Sequence, residues 1–316
     1  MKKKGKKFFG TTITRRDFIK GSVGTAFLLG LSNFNWAEVL APPTEKKESF
    51  PDLAIVTNGT PAMMTRKVME LLGGMKKFVS KGDIVVVKPN IGWDRNPQQA
   101  ANTNPEVVAE VVRMCLECGA KKVKVFDRTC NTPSRCYENS GIKKAASEAG
   151  AKVSYVVDAG FSKMKFPQGE VLKKWEMYKP ALDADVLINV PIAKHHGLSK
   201  LTLGIKNLMG IMGGDRGKIH WKIDDNLADL ANFVRPKLTI LDAYRILVKN
   251  GPQGGNLKDV REMKTIIAGK HIATVDAYGA TLFDMKPTDL RYVVKANKFG
   301  LGEIDLNKVN IKKVNL

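Results

Sequence analysis

The residues best suited to chemistry gather in one segment of this 316-residue chain. Three of the four histidines, His195, His196 and His220, lie within 26 residues, with Lys206 among them and Lys194 directly before His195. A neutral imidazole can act as a general base or bind a metal through its free nitrogen. Lys206 stands in an apolar, Gly-rich run, where desolvation would lower its pKa and make it a nucleophile or a carboxylate anchor. The alternative is a lysine that extends from a helix to solvent.

These residue types divide into candidate roles. We predict catalytic roles for His196, Lys206 and Lys194. We predict metal ligation by His220, His195 and Asp242. Adjacent residues of a strand point to opposite faces, so at most one of His195 and His196 faces a common crevice unless a turn intervenes. The sequence contains no HExxH, GxSxG or Walker motif, and Gly210–Gly214 is not a dinucleotide fingerprint, so none of these motifs assigns a reaction.

Apolar runs typical of strands alternate with helical patterns and must position these residues. Such alternation predicts right-handed crossovers and an α/β fold, Rossmann-like, with a mainly parallel sheet and helices on both faces, in a single large or two-lobed domain. The predicted strands are 52–57, 83–88, 121–126, 152–157, 185–190, 237–241 and 265–268. The predicted helices are 61–79, 104–118, 134–149, 227–234, 274–285 and 289–299.

Polar residues follow the predicted strands where each strand ends. In an open parallel sheet the carboxyl ends of the strands form the ligand crevice. We therefore expect side chains that are distant in sequence to share one edge, although Asp, Asn and Pro are also ordinary turn residues. The predicted substrate-binding residues are Lys88, Asn90, Asn104, Asn189 and Asp127, and Asp242 follows a further strand.

The charge of the chain favours anionic partners. Residues 1–37 carry six Lys and two Arg against one Asp, so +7 of the net charge of +21 belongs to them and +14 to the rest. Carboxylates, phosphates or a membrane surface fit this balance, and we expect a small anionic ligand. A basic solvated surface is the alternative for most of these charges. Nucleic acid is excluded as a partner because the lysines are scattered and no nucleic-acid-binding motif occurs.

The amino terminus carries a targeting motif. Arg15 and Arg16 precede Phe18 in residues 14–20, and an uncharged, weakly apolar run follows at 21–31. This order predicts a twin-arginine signal peptide over 1–37, a route that exports folded proteins. The predicted partner is the twin-arginine translocase, with transient membrane contact and a periplasmic or other extracytoplasmic location. An uncleaved, membrane-tethered form is the alternative, although the run is about half the length of a membrane span. Residues 38–50 are predicted as a linker and 51–316 as the α/β domain.

The four cysteines leave several possibilities open. Cys115, Cys118, Cys130 and Cys136 permit two disulfides in an oxidising compartment. Their spacing matches no ferredoxin pattern, so an iron–sulfur cluster ranks last, behind free or buried thiols and disulfides. The cofactor is not fixed by the sequence, and a metal ion stays open.

Five segments resemble a known family. They are VKPN at 87–90, NTNP at 102–105, CYENSGI at 136–142, DVLINVPIAKH at 185–195 and GIKNLMG at 204–210. The chain from about residue 52 onward resembles the domain-of-unknown-function family 362, and the last two segments are the specific ones. Some members carry additional ferredoxin-type cysteine motifs, which this chain lacks. The resemblance implies a fold and names no reaction.

A second, shorter resemblance concerns the nickel-pincer lactate racemase family. His196, Lys206 ten residues later, Gly210 and then His220 are similar to a stretch of that family. The resemblance implies a cofactor held by Lys206, a base at His196 and a ligand at His220. The chain departs from the pattern at 202–205, where Thr-Leu-Gly-Ile replaces a run of small residues, and at Met209, where that family has proline.

The strand ends thus predict a site at one edge of an α/β domain, the positive charge predicts a small anionic ligand, and the amino-terminal motif predicts export. Two function classes follow from these predictions. The first is an enzyme that acts on a small anionic substrate with metal or cofactor assistance. The second is a non-catalytic metal- or anion-binding or maturation protein of the cell envelope.

Overall fold

The computed structural model of the protein describes residues 50–316, so the expectations for 1–37 and for all but the last residue of 38–50 lie outside the described residues. The strands are β1 (Leu53–Thr57), β2 (Ile84–Pro89), β3 (Lys122–Val125), β4 (Lys152–Val153), β5 (Phe161–Lys165), β6 (Lys174–Tyr178), β7 (Val186–Val190), β8 (Ile192–His196), β9 (Lys200–Thr202), β10 (Leu238–Leu247), β11 (Val260–Gly269) and β12 (Ile311–Asn315). The helices are α1 (Pro61–Leu71), α2 (Pro105–Glu117), α3 (Pro133–Asn139), α4 (Ile142–Glu148), α5 (Lys179–Leu182), α6 (Gly204–Asn207), α7 (Ile223–Val234), α8 (Ile272–Thr281) and α9 (Arg291–Lys298).

One mixed, mostly parallel sheet carries the fold. Its strand order is β12-β1-β11-β10-β7-β2-β3-β4, with β8 beside β10 and β9 beside β8. The neighbours β4, β3, β2, β7 and β10 are all parallel, whereas β11 runs antiparallel to both β1 and β10. The carboxyl ends of β2, β3 and β7 therefore meet at one edge, as the sequence predicts.

Helices cover both faces of this sheet. In β2, Val85 and Val87 belong to the core packed under α1 and α2, and Val86 belongs to the core packed under α7 and α8. This alternation arises because successive side chains of a strand point to opposite faces. Near-continuous apolar strands are what a sheet buried on both faces requires. The predicted α/β class, with a mainly parallel sheet between two helical layers, is confirmed.

Glycines with positive φ end two of the predicted helices early. The helix predicted over 61–79 ends at Leu71, because Gly73 and Gly74 follow with φ of 89° and 86°. The helix predicted over 134–149 is two helices, separated at Gly141 with φ of 73°. These are conformations that glycine adopts freely and that a continuing right-handed helix excludes.

Strand lengths also differ from the predictions. The strand predicted over 152–157 is only the two-residue β4, and β10 continues well past the predicted 237–241. The β5–β6 hairpin, β8, β9 and β12 were not predicted. No helix within residues 50–316 is long and apolar enough to cross a membrane.

Candidate functional site

A cavity of about 710 Å³ opens at the edge where β2, β3 and β8 end. It brings together six of the residues that the sequence singles out. They are Asn90, Asp127, Lys194, His196, Lys206 and His220. Asn90 and Asp127 follow β2 and β3, whereas Lys206 is held by the four-residue helix α6. Side chains more than 100 positions apart thus share one space.

A buried ion pair joins the wall of this cavity to the protein interior. Lys88 Nζ is 2.7 Å from Asp127 Oδ1, and both side chains are almost wholly buried. Gly210 passes so close to the pair that a Cβ there would lie 1.7 Å from Asp127 Oδ1 and 2.4 Å from Lys88 Nζ. The absence of a side chain at Gly210 is therefore a condition for the pair. Lys88 is predicted to bind substrate, but it lies behind the cavity wall, where Asp127 neutralises it.

Three asparagine side chains link this ion pair to the cavity. Asn207 Oδ1 accepts hydrogen bonds from Lys88 Nζ (3.2 Å) and from Asn90 Nδ2 (3.1 Å). Asn90 Oδ1 in turn accepts from Lys194 Nζ at 3.2 Å. Asn207 Nδ2 donates to Asn189 Oδ1 at 2.9 Å. This network fixes the floor of the cavity, because each amide is held at both its oxygen and its nitrogen.

Lys194 presents a desolvated ammonium group at this floor. Its side chain is 1% exposed, and Nζ donates to the backbone oxygen of Ala101 (2.5 Å) and to Asn90. Among residues 50–316 no carboxylate lies within 4 Å of it. Burial lowers the pKa of Lys194 to about 7; attraction by Cys130 and by the more distant Asp127 carboxylate opposes this shift, and repulsion by Lys206 and Lys88 adds to it. An anion in the cavity would satisfy this charge.

Lys206 is a second buried ammonium group in the same cavity. Its side chain is 8% exposed, and Nζ contacts Met209 Sδ at 3.0 Å and His220 Nε2 at 3.5 Å. Within the described part of the chain it also has no carboxylate within 4 Å. Burial lowers the pKa of Lys206 to about 8, and Arg216 contributes repulsion. At pH 7, Lys206 is therefore mostly protonated, with roughly a tenth of it as free amine.

His196 is held as a neutral ring with one defined tautomer. Its Nδ1 accepts hydrogen bonds from the backbone N–H groups of Leu198 (3.0 Å) and Ser199 (3.3 Å). A nitrogen that accepts two N–H bonds carries no proton, so the ring proton lies on Nε2. Burial and the nearby Lys206 lower the pKa of His196 to about 3. His196 is therefore a hydrogen-bond donor at neutral pH, which argues against its predicted role as a base.

His220 has the opposite tautomer. Its Nδ1 lies 3.1 Å from the carbonyl oxygen of Gly217, which can only accept, so Nδ1 carries the proton and Nε2 keeps a lone pair. Burial and Lys206 lower the pKa of His220. The rings of His196 and His220 stack at 6.0 Å with planes 14° apart. The base-competent nitrogen of the pair thus belongs to His220, a residue predicted as a metal ligand.

Besides Lys88, four of the predicted site residues lie outside this cavity, and three of these have a structural role. Asn104 caps α2, where its Oδ1 accepts from the Glu106 N–H. Asn189 is buried and donates to the carbonyl of Gly204 at 2.9 Å. Asp242 lies inside β10, and its carboxylate accepts from the N–H groups of Asn104 and Tyr244, while burial raises its pKa to about 6. His195 faces a second cavity of about 510 Å³, as expected for the neighbour of His196 in a strand.

The residues predicted as metal ligands are therefore separated. His220 lines the first cavity, His195 the second, and Asp242 is enclosed in the sheet. Among residues 50–316 no three His, Cys, Asp or Glu side chains stand close enough together to hold a metal ion. The sheet edge separates them because β10 continues beyond Asp242 instead of ending there.

Several residues of the site were not predicted. Asn207 connects the asparagine network, and the carboxylate of Asp276 accepts the N–H groups of Gly204 (2.6 Å) and Ile205 (2.9 Å) at the start of α6. Arg128 and Arg216 line the cavity as well. Asn207 stands in the Gly-rich segment 204–210, which was the available signal. The remaining three gain their roles only through contacts distant in sequence.

The four cysteines are all free thiols. Cys115 and Cys136 are buried, Cys118 is partly exposed and Cys130 is exposed in the cavity wall. Burial raises the pKa of the Cys136 thiol to about 11, which leaves it protonated at neutral pH.

Comparisons with known proteins match the chain to a family model, a relative in sequence and a solved structure. The family model described as domain of unknown function (DUF362) matches residues 85–281. A thylakoid-associated protein of Synechocystis sp. is 28% identical over 244 residues, which are 75% of this chain and 74% of that protein. The lactate racemase apoprotein from Thermoanaerobacterium thermosaccharolyticum is 14% identical with a TM-score of 0.47, over 72% of this chain and 56% of that chain.

Proposed function

The chain belongs to the DUF362 family, and we propose that it is an enzyme that binds a small anionic substrate in the cavity and transfers a proton next to the anionic group. The match covers both segments that form the cavity floor, 185–195 and 204–210. The DUF362 description names no reaction, so the proposal rests on the side chains themselves.

The observation that carries this proposal is the pair of buried lysines without carboxylate partners. Isolated buried ammonium groups are costly, and their lowered pKa values express that cost. Lys88, connected to Lys194 through Asn207 and Asn90, shows the contrasting arrangement, since Asp127 forms an ion pair with it. An anionic ligand would provide for Lys194 and Lys206 what Asp127 provides for Lys88.

The two histidines add acid–base chemistry beside this anion site. A neutral imidazole that donates through Nε2 can stabilise a developing oxyanion. The lone pair of His220 Nε2, 3.5 Å from Lys206 Nζ, can remove a proton directly or relay one from the lysine. Through Nε2, His196 therefore donates a hydrogen bond and His220 accepts a proton. This combination suits proton abstraction at a carbon next to a carbonyl or carboxylate.

Metal or cofactor assistance is an alternative use of the same two side chains. In that alternative Lys206, in the cavity wall, would hold a covalently attached group instead of the substrate anion, and His220 Nε2 would coordinate a metal instead of accepting a proton. Such a group would supply an electron acceptor or a Lewis acid. The intact mass and the metal content of the protein purified from its native host test this part. A covalent adduct adds mass to the wild type, and the Lys206→Arg variant should lack that added mass.

The experiment for the main proposal is solvent hydrogen exchange. The purified protein is incubated in D₂O with a panel of small hydroxy-, keto- and amino-carboxylates, and deuterium at the carbon next to the carboxylate is followed by NMR. We expect exchange of at least one substrate, with a loss of about 100-fold or more in His220→Asn. Lys249→Met, in the second cavity, is the matched control and leaves the rate unchanged.

The outcomes separate the two function classes. Binding without exchange for every ligand would overturn the enzymatic proposal and favour a non-catalytic anion-binding or maturation protein. Exchange that survives in the Lys194→Met/Lys206→Met double variant would contradict the cavity as its location.

Export is a separate proposal that rests on the amino-terminal motif. We expect the twin-arginine route to deliver the folded protein outside the cytoplasm, with cleavage after Ala37 or retention by an uncut signal. Replacing Arg15 and Arg16 by lysine should leave the protein inside the cell. Export that continues unchanged in that variant would contradict the assignment, and the mass of the exported form reports whether the signal is cut.

A further inference from the structure

The cavity holds a second pair of cations, Arg128 and Arg216, at a place that the lysines do not reach. Arg128 follows β3, whereas Arg216 lies in a 3₁₀ turn between α6 and α7. Neither guanidinium has a carboxylate within 4 Å among residues 50–316. The carboxylate of Asp215 also lines the cavity, but it lies 3.9 Å from the exposed Lys218.

Backbone carbonyl groups hold both guanidiniums in place. Arg128 Nη1 donates to the oxygens of Met212 (3.0 Å) and Gly214 (2.9 Å). Arg216 donates through Nη1 to the oxygen of Arg128 (3.0 Å) and through Nη2 to that of Thr129 (2.9 Å). Carbonyl oxygens orient a guanidinium without cancelling its charge. Arg128 Nη2 and Nε and Arg216 Nε make no hydrogen bond within the described chain and stay free for a ligand.

The cations are arranged along the cavity in a definite order. Lys194 is bound at the Asn90 end, and Lys206 follows it beside His220. Arg216 comes next, because its Nη1 lies 3.5 Å from the oxygen of Met209, whose Sδ contacts Lys206 Nζ, and Arg128 adjoins Arg216 through its own carbonyl oxygen. Lysine thus dominates one end of the cavity and arginine the other.

From this arrangement we infer that the natural ligand carries two anionic groups, one bound by Lys194 and Lys206 and the other by Arg128 and Arg216. This inference rests on the proposed function and names its substrate class. The second group is a carboxylate or a phosphate, because the forked guanidinium matches the oxygens of both. A cavity of about 710 Å³ accommodates a ligand of this size. A ligand with one charge would leave the arginine end unpaired.

Calorimetric titration of the full chain at constant ionic strength tests the inference. The probes are propionate with one charge, succinate with two carboxylates, and phosphoglycolate with a carboxylate and a phosphate. We expect the two latter ligands to bind about tenfold or more tightly than propionate. The stronger of the two identifies the second group as carboxylate or phosphate.

Arginine variants locate the second group. Arg128→Gln and Arg216→Gln should each reduce the affinity for the doubly charged ligands about tenfold and leave that for propionate unchanged. Arg261→Gln, in the second cavity, is the matched control and should change neither. If a glutamine variant unfolds, Arg128→Lys and Arg216→Lys keep the charge and remove the fork, and the same selective loss is expected.

The failure modes are distinct. Propionate that binds as tightly as both doubly charged ligands would overturn this inference and leave the proposed function standing. If none of the three probes binds to the wild type, the anion site itself is contradicted, and the inference falls with it. Equal losses for propionate and succinate in the arginine variants would also overturn it.

Discussion

Two histidines of the same cavity differ in the kind of backbone group that contacts Nδ1, and therefore in which ring nitrogen carries the proton. Amide N–H groups engage Nδ1 of His196, and a carbonyl oxygen engages Nδ1 of His220. The sequence predicts that these residues are chemically important, because histidine is scarce in this chain. It does not predict which is donor and which is acceptor. That assignment depends on the turn at 197–199 and on the 3₁₀ turn around Gly217, whose backbone directions no local pattern specifies.

Two substitutions of His196 separate the contact of Nδ1 with the turn at 197–199 from hydrogen-bond donation by Nε2. Asparagine places an acceptor where Nδ1 lies and removes the donor at Nε2, whereas glutamine places a donor near Nε2 and removes the acceptor. We expect His196→Asn to keep the stability and to lose about 100-fold in exchange rate. His196→Gln should lose about 1–2 kcal/mol of stability and keep more of the rate. Chemical denaturation and the exchange assay measure both, and an equal loss of rate in the two variants would contradict the tautomer assignment.

At the scale of elements, the segment 204–217 connects the site to the sheet. Asp276 of α8 holds the start of α6, and Gly210 lies over the Lys88–Asp127 pair. The strand ends were predictable because a parallel sheet aligns them, and Asn90 and Asp127 lie where the pattern places them. The packing of 204–217 was not predictable, since it depends on contacts with residues 70 to 120 positions away.

Gly210→Ala tests this close approach. A Cβ there would meet both members of the ion pair, so the segment must shift, and we expect a loss of at least about 2 kcal/mol in the free energy of unfolding together with loss of anion binding. Gly197→Ala is the matched control, because a Cβ at Gly197 meets no atom within 4 Å. Equal stability of the two variants in urea denaturation would show that Gly210 does not pack as described.

At the scale of the molecule, the sheet concentrates uncompensated positive charge at one edge. The net charge of +14 over residues 38–316 does not say where in the fold the positive side chains lie. From the sequence alone, a basic surface spread over the molecule is the main alternative. Folding buries Lys88, Lys194 and Lys206 beside one carboxylate. The topology places β8 and α6 next to the ends of β2 and β3. This placement, which the sequence does not show, brings the buried lysines together.

The stability of the whole protein should reflect these buried lysines. The pKa values of Lys194 and Lys206 in the folded state lie below the usual 10.5, so the unfolded chain binds more protons between about pH 7 and that value. The free energy of unfolding should therefore rise as the pH increases from 7 to 9, by about 2 kcal/mol or more. Denaturation across this range measures the slope. The Lys194→Met/Lys206→Met variant should lose most of it, and an unchanged slope in that variant would show that the lysines are solvated.

The most direct measurement of the anion site is the affinity of the purified protein for succinate at pH 6.5 and at pH 9, at constant ionic strength. We predict binding at pH 6.5 that weakens at least about tenfold by pH 9, as Lys194 and Lys206 lose their protons, and that is abolished in Lys194→Met/Lys206→Met but retained in Lys249→Met. Binding that is independent of pH and survives in the double variant would contradict the central claim that these two ammonium groups hold the ligand.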